Sequence, residues 1–569
     1  MVSSAGLYLD GAIVLIYFVG IISIGLYMGR GDKSIEGFAI GNRSIPWWAV
    51  LASILAAEIS AATFLGAPGE GYANRNFTYA QLAIGTILAR FIIAFVFIKP
   101  YYDFRVVSIY EYLALRFGTR TKNAASAIFL ITRALASGTR LYVAAIVFVL
   151  GYEMLTGTTL GLWQQVWVYV IALTFITAVT AVYTALGGIK AVIWTDVIQA
   201  TIMFGSLGIA IWVLFRFLPG GWHEVVDAAR RVVIDPNLVS AKGLPAAQEE
   251  AQQLAQHSFD FWNTGIIAGK SFWGNVKGIL DSEYTIWAAL IGSTFTTMAT
   301  HGTDQDMVQR MLTAKDHVKS RLSLILSGLA DLPLVLIFLF IGILLWALYQ
   351  QPGKTAPFAY FIVHQMPPGV RGILIAGIFA TAMGSLSTAL NALATSFTED
   401  WYRPYIHKDA SPSQVLSAAR KSTVVFSIVL IIIGSLTAYA AVILHSRIIP
   451  IVLGIFGYTY GSLLGVFLVG LLTKRRGSER GNLIAMLCGF IVVAILSGLH
   501  NDVWALLHPP LSGGIAPVLW APAWLPHIEF PWRVAFGTVT TFAVAMLFRT
   551  PQAQLDIATA HMKRMDAMP

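Results

Sequence analysis

PWWAVLASILAAEISAATFLGAPGEG, residues 46–71, is apolar at both ends, carries Glu58, Ser60 and Thr63 in its middle, and leaves through a Gly- and Pro-rich exit. A polar centre between apolar flanks predicts an interrupted membrane-spanning helix, because a carboxylate is costly on a lipid-facing helix. An interruption frees backbone carbonyl and N–H groups at mid-membrane, where they bind small cations or anions. A packing face of small residues would explain the alanines but not Glu58.

The rest of the chain has the composition of a membrane protein. Of its 569 residues, 57% are hydrophobic and 12% are charged, whereas ordinary soluble proteins have about 25% charged residues. The sequence predicts an all-α polytopic protein in a lipid bilayer, with about 13 transmembrane helices and no separate soluble domain. The predicted spans are approximately 9–29, 46–67, 77–98, 124–150, 162–186, 189–217, 281–301, 322–349, 370–397, 421–445, 448–473, 482–500 and 531–548.

The distribution of Lys and Arg predicts the orientation of the chain. These residues concentrate on alternate connections between spans, which places the N-terminus outside, the C-terminus in the cytoplasm, and the chain in the cell (inner) membrane. A net charge of +9 therefore needs no nucleic-acid partner. The first span lacks the flanks of a signal peptide, so we expect it to be retained.

Five ionisable residues fall inside predicted spans and need a partner or a cavity: Glu58, Arg90, Arg133, Arg140 and Asp196. Arg133 and Asp196 reach similar depths, about a third of the way in from the cytoplasm, so we expect them to pair. Arg140 lies near mid-membrane, where its planar fork suits a carboxylate, either that of a ligand or that of Glu58.

A second polar segment, ATAMGSLSTALNALATSFTED (380–400), places Ser385, Ser387, Thr388 and Asn391 within two helical turns. Hydroxyl groups in spans commonly bond to backbone or to neighbouring helices. Together with segment 46–71, however, they supply the hard oxygen atoms that a small cation needs.

Four further stretches resemble the sodium/solute symporter family, whose members couple sodium to sugars, monocarboxylates, iodide, vitamins, proline or sialic acid. They are GNRSIPWWAV (41–50), YTALGGIKAVIWTDVIQ (183–199), TDQDMVQRMLTAKD (303–316) and NALATSFTEDWYRP (391–404). The resemblance covers nearly the whole chain. SAATFLGAPGEGY (60–72) is closest to the iodide, monocarboxylate and vitamin branch and TDQ (303–305) to the sugar branch, so the subfamily stays open.

The resemblance implies a leucine-transporter-like fold with two inverted five-helix repeats, in which spans 46–67 and 281–301 are the broken helices. The implied division of the chain has six parts. They are an N-terminal helix with its inner loop (1–45), the first repeat (46–217), a long outer loop (218–280), the second repeat (281–473), two C-terminal helices (474–548) and a cytoplasmic tail (549–569).

The resemblance also implies a sodium site. Its ligands would be the backbone oxygens of Ala56, Ile59 and Thr381 and the hydroxyl of Ser385. The family's companion hydroxyl is missing, because Gly384 stands at that position. The missing hydroxyl at Gly384 shifts ligation at this first site toward Ser387 and Thr388.

A second sodium position is implied at Asp196, with Ser385 and Thr381 close by. The alternative for Asp196 is a structural ion pair. The number of sodium ions therefore stays open.

The substrate site of the sugar branch is not reproduced, because Thr300 stands at its aromatic gate and Thr63 at one of its amide positions. Glu58 and Arg140 favour a small organic anion, such as a carboxylate or an acidic sugar, and a neutral sugar is the alternative. His301 either contacts substrate or is an ordinary solvated or backbone-bonded histidine. The candidate substrate-binding residues are Glu58, Thr63, Gln81, Arg140, Thr297, Thr300 and His301.

The functional prediction is a sodium-coupled secondary active symporter that imports a small organic solute by alternating access. Its partners would be sodium, the solute and the lipid bilayer, in a monomer or weak homo-oligomer. A membrane-embedded enzyme is the first alternative, but no cluster of catalytic side chains with suitable spacing is visible. A passive channel is the second, and a sensor would need a kinase domain for which the tail has no room.

Overall fold

The computed structural model describes residues 4–30, 34–156, 158–354, 356–443, 454–508, 519–520, 522 and 528–566, and the regular structure in these ranges is helical. The α-helices are α1 (Ser4–Met28), α2 (Ile35–Ile40), α3 (Trp47–Glu58), α4 (Ala61–Asn74), α5 (Leu82–Val96), α6 (Ile98–Asp103), α7 (Tyr110–Phe117), α8 (Thr119–Thr156), α9 (Leu162–Arg216), α10 (Gly221–Ala229), α11 (Pro236–Lys242), α12 (Leu244–Gln256), α13 (Phe272–Leu280), α14 (Thr294–Gly302), α15 (Gln305–Met311), α16 (His317–Tyr349), α17 (Pro357–Gln365), α18 (Val370–Phe397), α19 (Pro412–Val442), α20 (Ile455–Leu472), α21 (Glu479–Leu496), α22 (Leu499–Leu507), α23 (Phe530–Met546) and α24 (Gln552–Asp566). Short 3-10 helices lie at Gly41–Arg43 and Thr78–Gln81, and π-helices at Ala288–Ser293 and Thr398–Ile406.

Membrane-spanning helices dominate the described ranges. Nine are long and apolar enough to cross a membrane, or ten if the bent pair α3–α4 is one span. The 55-residue α9 is about 82 Å long at 1.5 Å per residue, enough for two crossings. Gly188 (φ 56°, ψ −154°) breaks α9 between the predicted spans 162–186 and 189–217. The end of predicted span 421–445 and the start of 448–473 lie outside the described residues.

The interruption predicted in segment 46–71 is present. Helix α3 ends at Glu58, Ile59 (φ −82°, ψ 92°) and Ser60 (φ −80°, ψ 167°) are extended, and α4 begins at Ala61. The two helices meet at a bend of 65°. The Ser60 hydroxyl accepts the Thr63 N–H at 3.4 Å and so caps the new helix.

The prediction of a second broken helix, in span 281–301, is wrong. The chain there passes through the π-helix Ala288–Ser293 directly into α14. Helix α5 packs closely against this turn. Gly85 lies so near to it that a side chain there would collide with the Ala289 carbonyl oxygen. A π-helical turn changes the hydrogen-bond register without exposing backbone groups as a break does.

Helix α18 lies at the centre of the molecule, and nearly all of its residues are buried. It packs against α9, α8 and α3, and therefore joins the segment predicted as the second repeat to the segment predicted as the first. Short helices α10 to α13 occupy the predicted outer loop, and α24 forms the amphipathic tail helix. Gln554 anchors that tail by donating to the carbonyl oxygens of Ala114 (3.0 Å) and Leu115 (2.8 Å).

Candidate functional site

The end of α3 presents backbone oxygen atoms without their usual helical donors. In a continuing helix the Ser60 N–H would bond to the Ala56 carbonyl, but it bonds to the Glu58 carbonyl instead (3.1 Å). The Thr63 N–H, which would serve the Ile59 carbonyl, bonds to the Ser60 hydroxyl (3.4 Å). The C-terminal end of a helix also carries partial negative charge. Both carbonyls predicted as sodium ligands therefore lie where a cation is favoured.

The predicted ligands on α18 lie opposite this helix end, but their hydroxyl groups are engaged within the helix. Ser385 Oγ donates to the carbonyl oxygens of Thr381 and Ala382, both at 3.1 Å. Ser387 and Thr388 donate to the Gly384 carbonyl at 3.1 and 2.5 Å. A hydroxyl oxygen that donates its proton in this way still has lone pairs for a cation.

Asp196 pairs with Arg310, so the predicted Arg133–Asp196 pair is wrong. Asp196 Oδ2 accepts from Ser53 Oγ at 2.5 Å and from Arg310 Nη2 at 3.1 Å. The same guanidinium group donates to the hydroxyl of Thr388 and, at 3.2 Å, to Asp306 Oδ1. Arg310 is fully buried, so its charge is neutralised inside the protein and not by solvent.

Arg133 is held by two other carboxylates. Its guanidinium group bonds to Asp304 and lies 2.9 Å from Asp306 Oδ2, and Tyr460 Oη donates to Asp304 Oδ2 at 2.5 Å. Both aspartates flank the start of the short helix α15, which is buried along its whole length. We call Arg133, Arg310, Asp196, Asp304 and Asp306, together with Arg140, the buried charge network.

Sequence reasoning missed four members of this site: Ser53, Asp304, Asp306 and Arg310. The signal was present, because TDQDMVQR (303–310) places two acids and a base within eight residues directly after an apolar span. Charges at such a position are expected in an inner loop, and only the tertiary packing of α15 against α3 and α18 shows that they are buried.

Arg140 lines a narrow cavity at the break between α3 and α4. The cavity measures about 20 Å³, room for roughly one water molecule. Its lining residues include Ser60, Ser385, Arg133, Ser137 and Asp306. Among the described residues Arg140 has no ion-pair partner; its guanidinium carbon lies 5.1 Å from the ring centroid of Phe456. The alternative in which it pairs with Glu58 is therefore wrong.

Glu58 belongs to a separate cluster. It forms an ion pair with Arg90, and its Oε1 lies 3.0 Å from His301 Nε2. Arg90 also donates to Ser327 Oγ at 2.7 Å, and His301 Nδ1 lies 3.0 Å from Thr300 Oγ1. This cluster joins the end of α3 to α5, α14 and α16, so Arg90 has a structural role.

The other predicted substrate residues lie apart from the cavity that Arg140 lines. Thr297 donates to Thr86 Oγ1 at 3.3 Å between α14 and α5. Gln81 is fully buried and accepts the Asn263 N–H at 3.2 Å, which ties it to the outer loop. Thr63 lies at the α4 cap, with its hydroxyl 3.4 Å from that of Ser60. Of the seven predicted substrate residues, only Arg140 lines this cavity.

A separate acidic cluster contains Glu111, on α7, with Glu399 and Asp400 nearby. Its Oε2 accepts the Val107 N–H at 3.1 Å. Burial and the nearby charges of Glu399 and Asp400 raise the pKa of Glu111 to about 7. A carboxylate in this environment changes its charge near neutral pH.

Comparison with known proteins defines the class of this chain. Residues 38–489 match the model of the sodium:solute symporter family, and the chain belongs to that family. It is 26% identical to human sodium-coupled monocarboxylate transporter 1, over 90% of this chain and 75% of that protein. It is also 26% identical to the sodium/sialic acid symporter SiaT of Proteus mirabilis, over 91% of this chain and 96% of that protein.

A solved structure shares the fold. A Na+-coupled sialic acid symporter in a substrate-bound outward-open state superposes with a TM-score of 0.70, at 22% identity, over 95% of this chain and 96% of that chain. The predicted leucine-transporter fold is thereby confirmed. The chain is a multi-pass membrane protein and a sodium-coupled symporter, with sodium as the co-transported ion. Known members of its family are transporters.

Proposed function

We propose that this symporter imports a small organic anion, a carboxylate or an acidic sugar, together with sodium. The observation that carries the proposal is Arg140, a guanidinium group without a carboxylate partner among the described residues, in a cavity that Ser60 and Ser385 also line. An arginine fork binds a carboxylate through two parallel hydrogen bonds. The similar monocarboxylate and sialic acid transporters carry substrates of this chemistry.

Charge balance supports an anion. The buried charge network contains three arginines and three aspartates: Arg133, Arg140, Arg310, Asp196, Asp304 and Asp306. With these groups ionised, one bound sodium ion leaves a net positive charge in a site with little water, which is costly. A substrate with one negative charge restores neutrality, so sodium and the anion favour each other's binding.

Sodium is proposed to bind first, between the end of α3 and α18, with the Ala56, Ile59 and Thr381 carbonyls and the Ser385 hydroxyl as ligands. This ties two helices of opposite repeats together and arranges the cavity for substrate. Each positive charge that moves through 100 mV is worth about 2.3 kcal/mol, which drives accumulation. Thermodynamic reciprocity requires substrate to raise sodium affinity by the same factor by which sodium raises substrate affinity.

We further propose that the protein has a fixed orientation in the cell membrane. The N-terminus faces outside and the C-terminus the cytoplasm, in the cell membrane, as the Lys and Arg distribution favours. The chain functions in transport and not as an enzyme, as a monomer or weak homo-oligomer. The six-part division of the chain remains a prediction from the family resemblance.

Uptake into proteoliposomes with an inward sodium gradient tests the substrate class. Labelled sialic acid, lactate and glucose are offered to wild type, to Arg140→Gln, and to Arg230→Gln, a control at an exposed arginine on the outer surface. We expect uptake of one of the two anions. We expect Arg140→Gln to weaken its apparent affinity about 100-fold, since an unpaired charge is left in the anion.

Arg230→Gln should transport as wild type does. Uptake of glucose alone would overturn the anion proposal and favour the neutral-sugar alternative. Undiminished anion affinity in Arg140→Gln would remove this residue from the substrate site.

A further inference from the structure

Five basic side chains meet where two connections between helices pair with each other. The connection from α20 to α21 lies against the segment that joins α23 to α24. Arg476 and Arg549 form an antiparallel bridge between them, and the Thr550 N–H donates to the Arg475 carbonyl at 3.0 Å. We call the following residues the basic patch: Lys474, Arg475, Arg476, Arg480 and Arg549.

The protein holds this pairing in place from within. Thr550 Oγ1 donates to the carbonyl oxygens of Arg476 (3.0 Å) and Gly477 (2.8 Å). Arg116 of α7 donates to Thr550 Oγ1 at 3.1 Å and to the Thr473 carbonyl at 2.9 Å. Basic residues that only orient a chain in the membrane need no fixed geometry, since that rule counts charges near the ends of spans. The fixed geometry here indicates a binding surface.

The positive charges of the basic patch point outward and are not neutralised locally. All five side chains are exposed. Arg476 Nη1 donates to the Met546 carbonyl at 3.3 Å. Glu479, the one acid in the connection from α20 to α21, is turned toward Arg120, whose backbone N–H donates to Glu479 Oε1 at 2.7 Å. Within the described ranges, the patch therefore presents positive charge that no carboxylate balances.

Exposed leucines border the basic patch on the side of the spanning helices. Leu472, at the end of α20, is 58% exposed, and Leu547, just after α23, is 76% exposed. Helices α20 and α21 are both long and apolar enough to cross a membrane, so the connection between them lies at a membrane surface. Leu487, two turns into α21, is also exposed. An acyl chain can lie along these leucines while its headgroup reaches the patch.

We propose that the basic patch binds the headgroup of an anionic phospholipid, whose acyl chains lie along the exposed leucines. Four of the five basic residues are arginines, and their planar forks bind phosphate oxygens through paired hydrogen bonds. Basic clusters next to membrane-spanning helices attract anionic lipids. A bound lipid joins the ends of α20, α21 and α23, and Arg116 connects them to α7. We therefore expect the lipid to stabilise this end of the protein.

Thermal unfolding of the purified full chain in detergent, with added lipid, tests the proposal. We expect dioleoylphosphatidylglycerol, which is anionic, to raise the Tm by several degrees more than the zwitterionic dioleoylphosphatidylcholine does. The triple variant Arg475→Gln, Arg480→Gln, Arg549→Gln removes three exposed charges and spares Arg476, which bonds to the backbone. We expect it to raise the half-saturating concentration of phosphatidylglycerol at least about tenfold.

A charge-matched control separates the basic patch from net charge. The triple variant Lys315→Gln, Lys408→Gln, Lys421→Gln removes three exposed charges from other predicted inner connections, and its response to phosphatidylglycerol should equal that of wild type. Lysine at the three arginine positions keeps the charge but not the fork, so we expect a smaller loss of affinity than with glutamine.

The Tm without added lipid should stay within a few degrees across the set, which separates lipid binding from damage to the fold. An unchanged response in the arginine-to-glutamine variant would overturn the proposal, as would an equal loss in the lysine-to-glutamine control. An equal rise in Tm with phosphatidylcholine or with inorganic phosphate would also overturn it. Sodium-driven uptake is measured separately, so the substrate proposal would survive any of these results.

Discussion

Arginine side chains at neighbouring positions in the molecule are held in opposite ways. Arg133 and Arg310 are each bound by two aspartates, and Arg310 donates to Ser53 as well. Arg140, two helical turns beyond Arg133 on α8, packs on Phe456 and faces a cavity. Paired charges in the membrane interior hold helices together, whereas an unpaired one requires a counter-charge from elsewhere. Arg133 and Arg310 therefore have structural roles, whereas Arg140 is available to bind a ligand.

Removal of Arg310 should have the largest effect. Arg310→Gln leaves Asp196 and Asp306 without their shared counter-charge, and breaking a buried pair costs about 3–5 kcal/mol. We expect a large fall in melting temperature and a small yield of monodisperse protein, measured in detergent by thermal unfolding and size exclusion. A variant as stable as wild type would contradict the structural role of Arg310 and weaken the comparison with Arg140.

Loss of the Ser385 hydroxyl should act on sodium rather than on folding. Ser385 donates only to carbonyls of its own helix, so Ser385→Ala removes little structure. It does remove a proposed ligand, and we expect the sodium concentration for half-maximal uptake to rise about tenfold. The sodium dependence of uptake at fixed substrate measures this, with Ser427→Ala on α19 as the control, because Ser427 likewise donates to a carbonyl of its own helix. An unchanged sodium dependence would exclude Ser385 from the site.

A conservative change at Arg140 tests whether the planar geometry of the guanidinium group matters as well as its charge. Arg140→Lys keeps the positive charge but replaces the planar fork with a point charge. We expect the apparent affinity for the anion to fall about fivefold, because one of two parallel hydrogen bonds is lost. Competition with unlabelled anion measures it. An affinity equal to that of wild type would show that charge alone, without bidentate geometry, retains the substrate.

The acidic cluster around Glu111 should give the smallest effect, one confined to a pH window. The pKa of Glu111 is raised from 4.5 to about 7, so folding favours its protonated form. The protonated Glu111 side chain makes its full contribution to stability below about pH 4.5, and this contribution is lost as the pH rises through 7. Glu111→Gln keeps the neutral form and an acceptor for the Val107 N–H. We expect the free energy of unfolding of the variant to be close to that of wild type near pH 5. At pH 8 it should be higher than that of wild type by on the order of 2 kcal/mol. Melting curves between these values test this, and a pH-independent difference would contradict it.

Sequence patterns predicted the fold well where the signal was local. Apolar length located the helices that are long and apolar enough to cross a membrane in the described ranges. The polar centre of segment 46–71 located the break after Glu58. Pairing between distant charges was not predictable in the same way, because depth along a helix does not say which face a side chain takes. Arg133 and Asp196 lie at similar depths, yet the buried helix α15 supplies the partners of both.

Accumulation of the anion against its own gradient distinguishes sodium-coupled symport from passive permeation. Proteoliposomes loaded with potassium and with sialic acid or lactate are placed in sodium medium that contains the same concentration of that anion. We expect the internal concentration of one anion to rise above the external concentration, and a sodium ionophore or external potassium to abolish the rise. Internal anion that never exceeds the external concentration, or that rises equally in potassium, would contradict sodium-coupled anion symport.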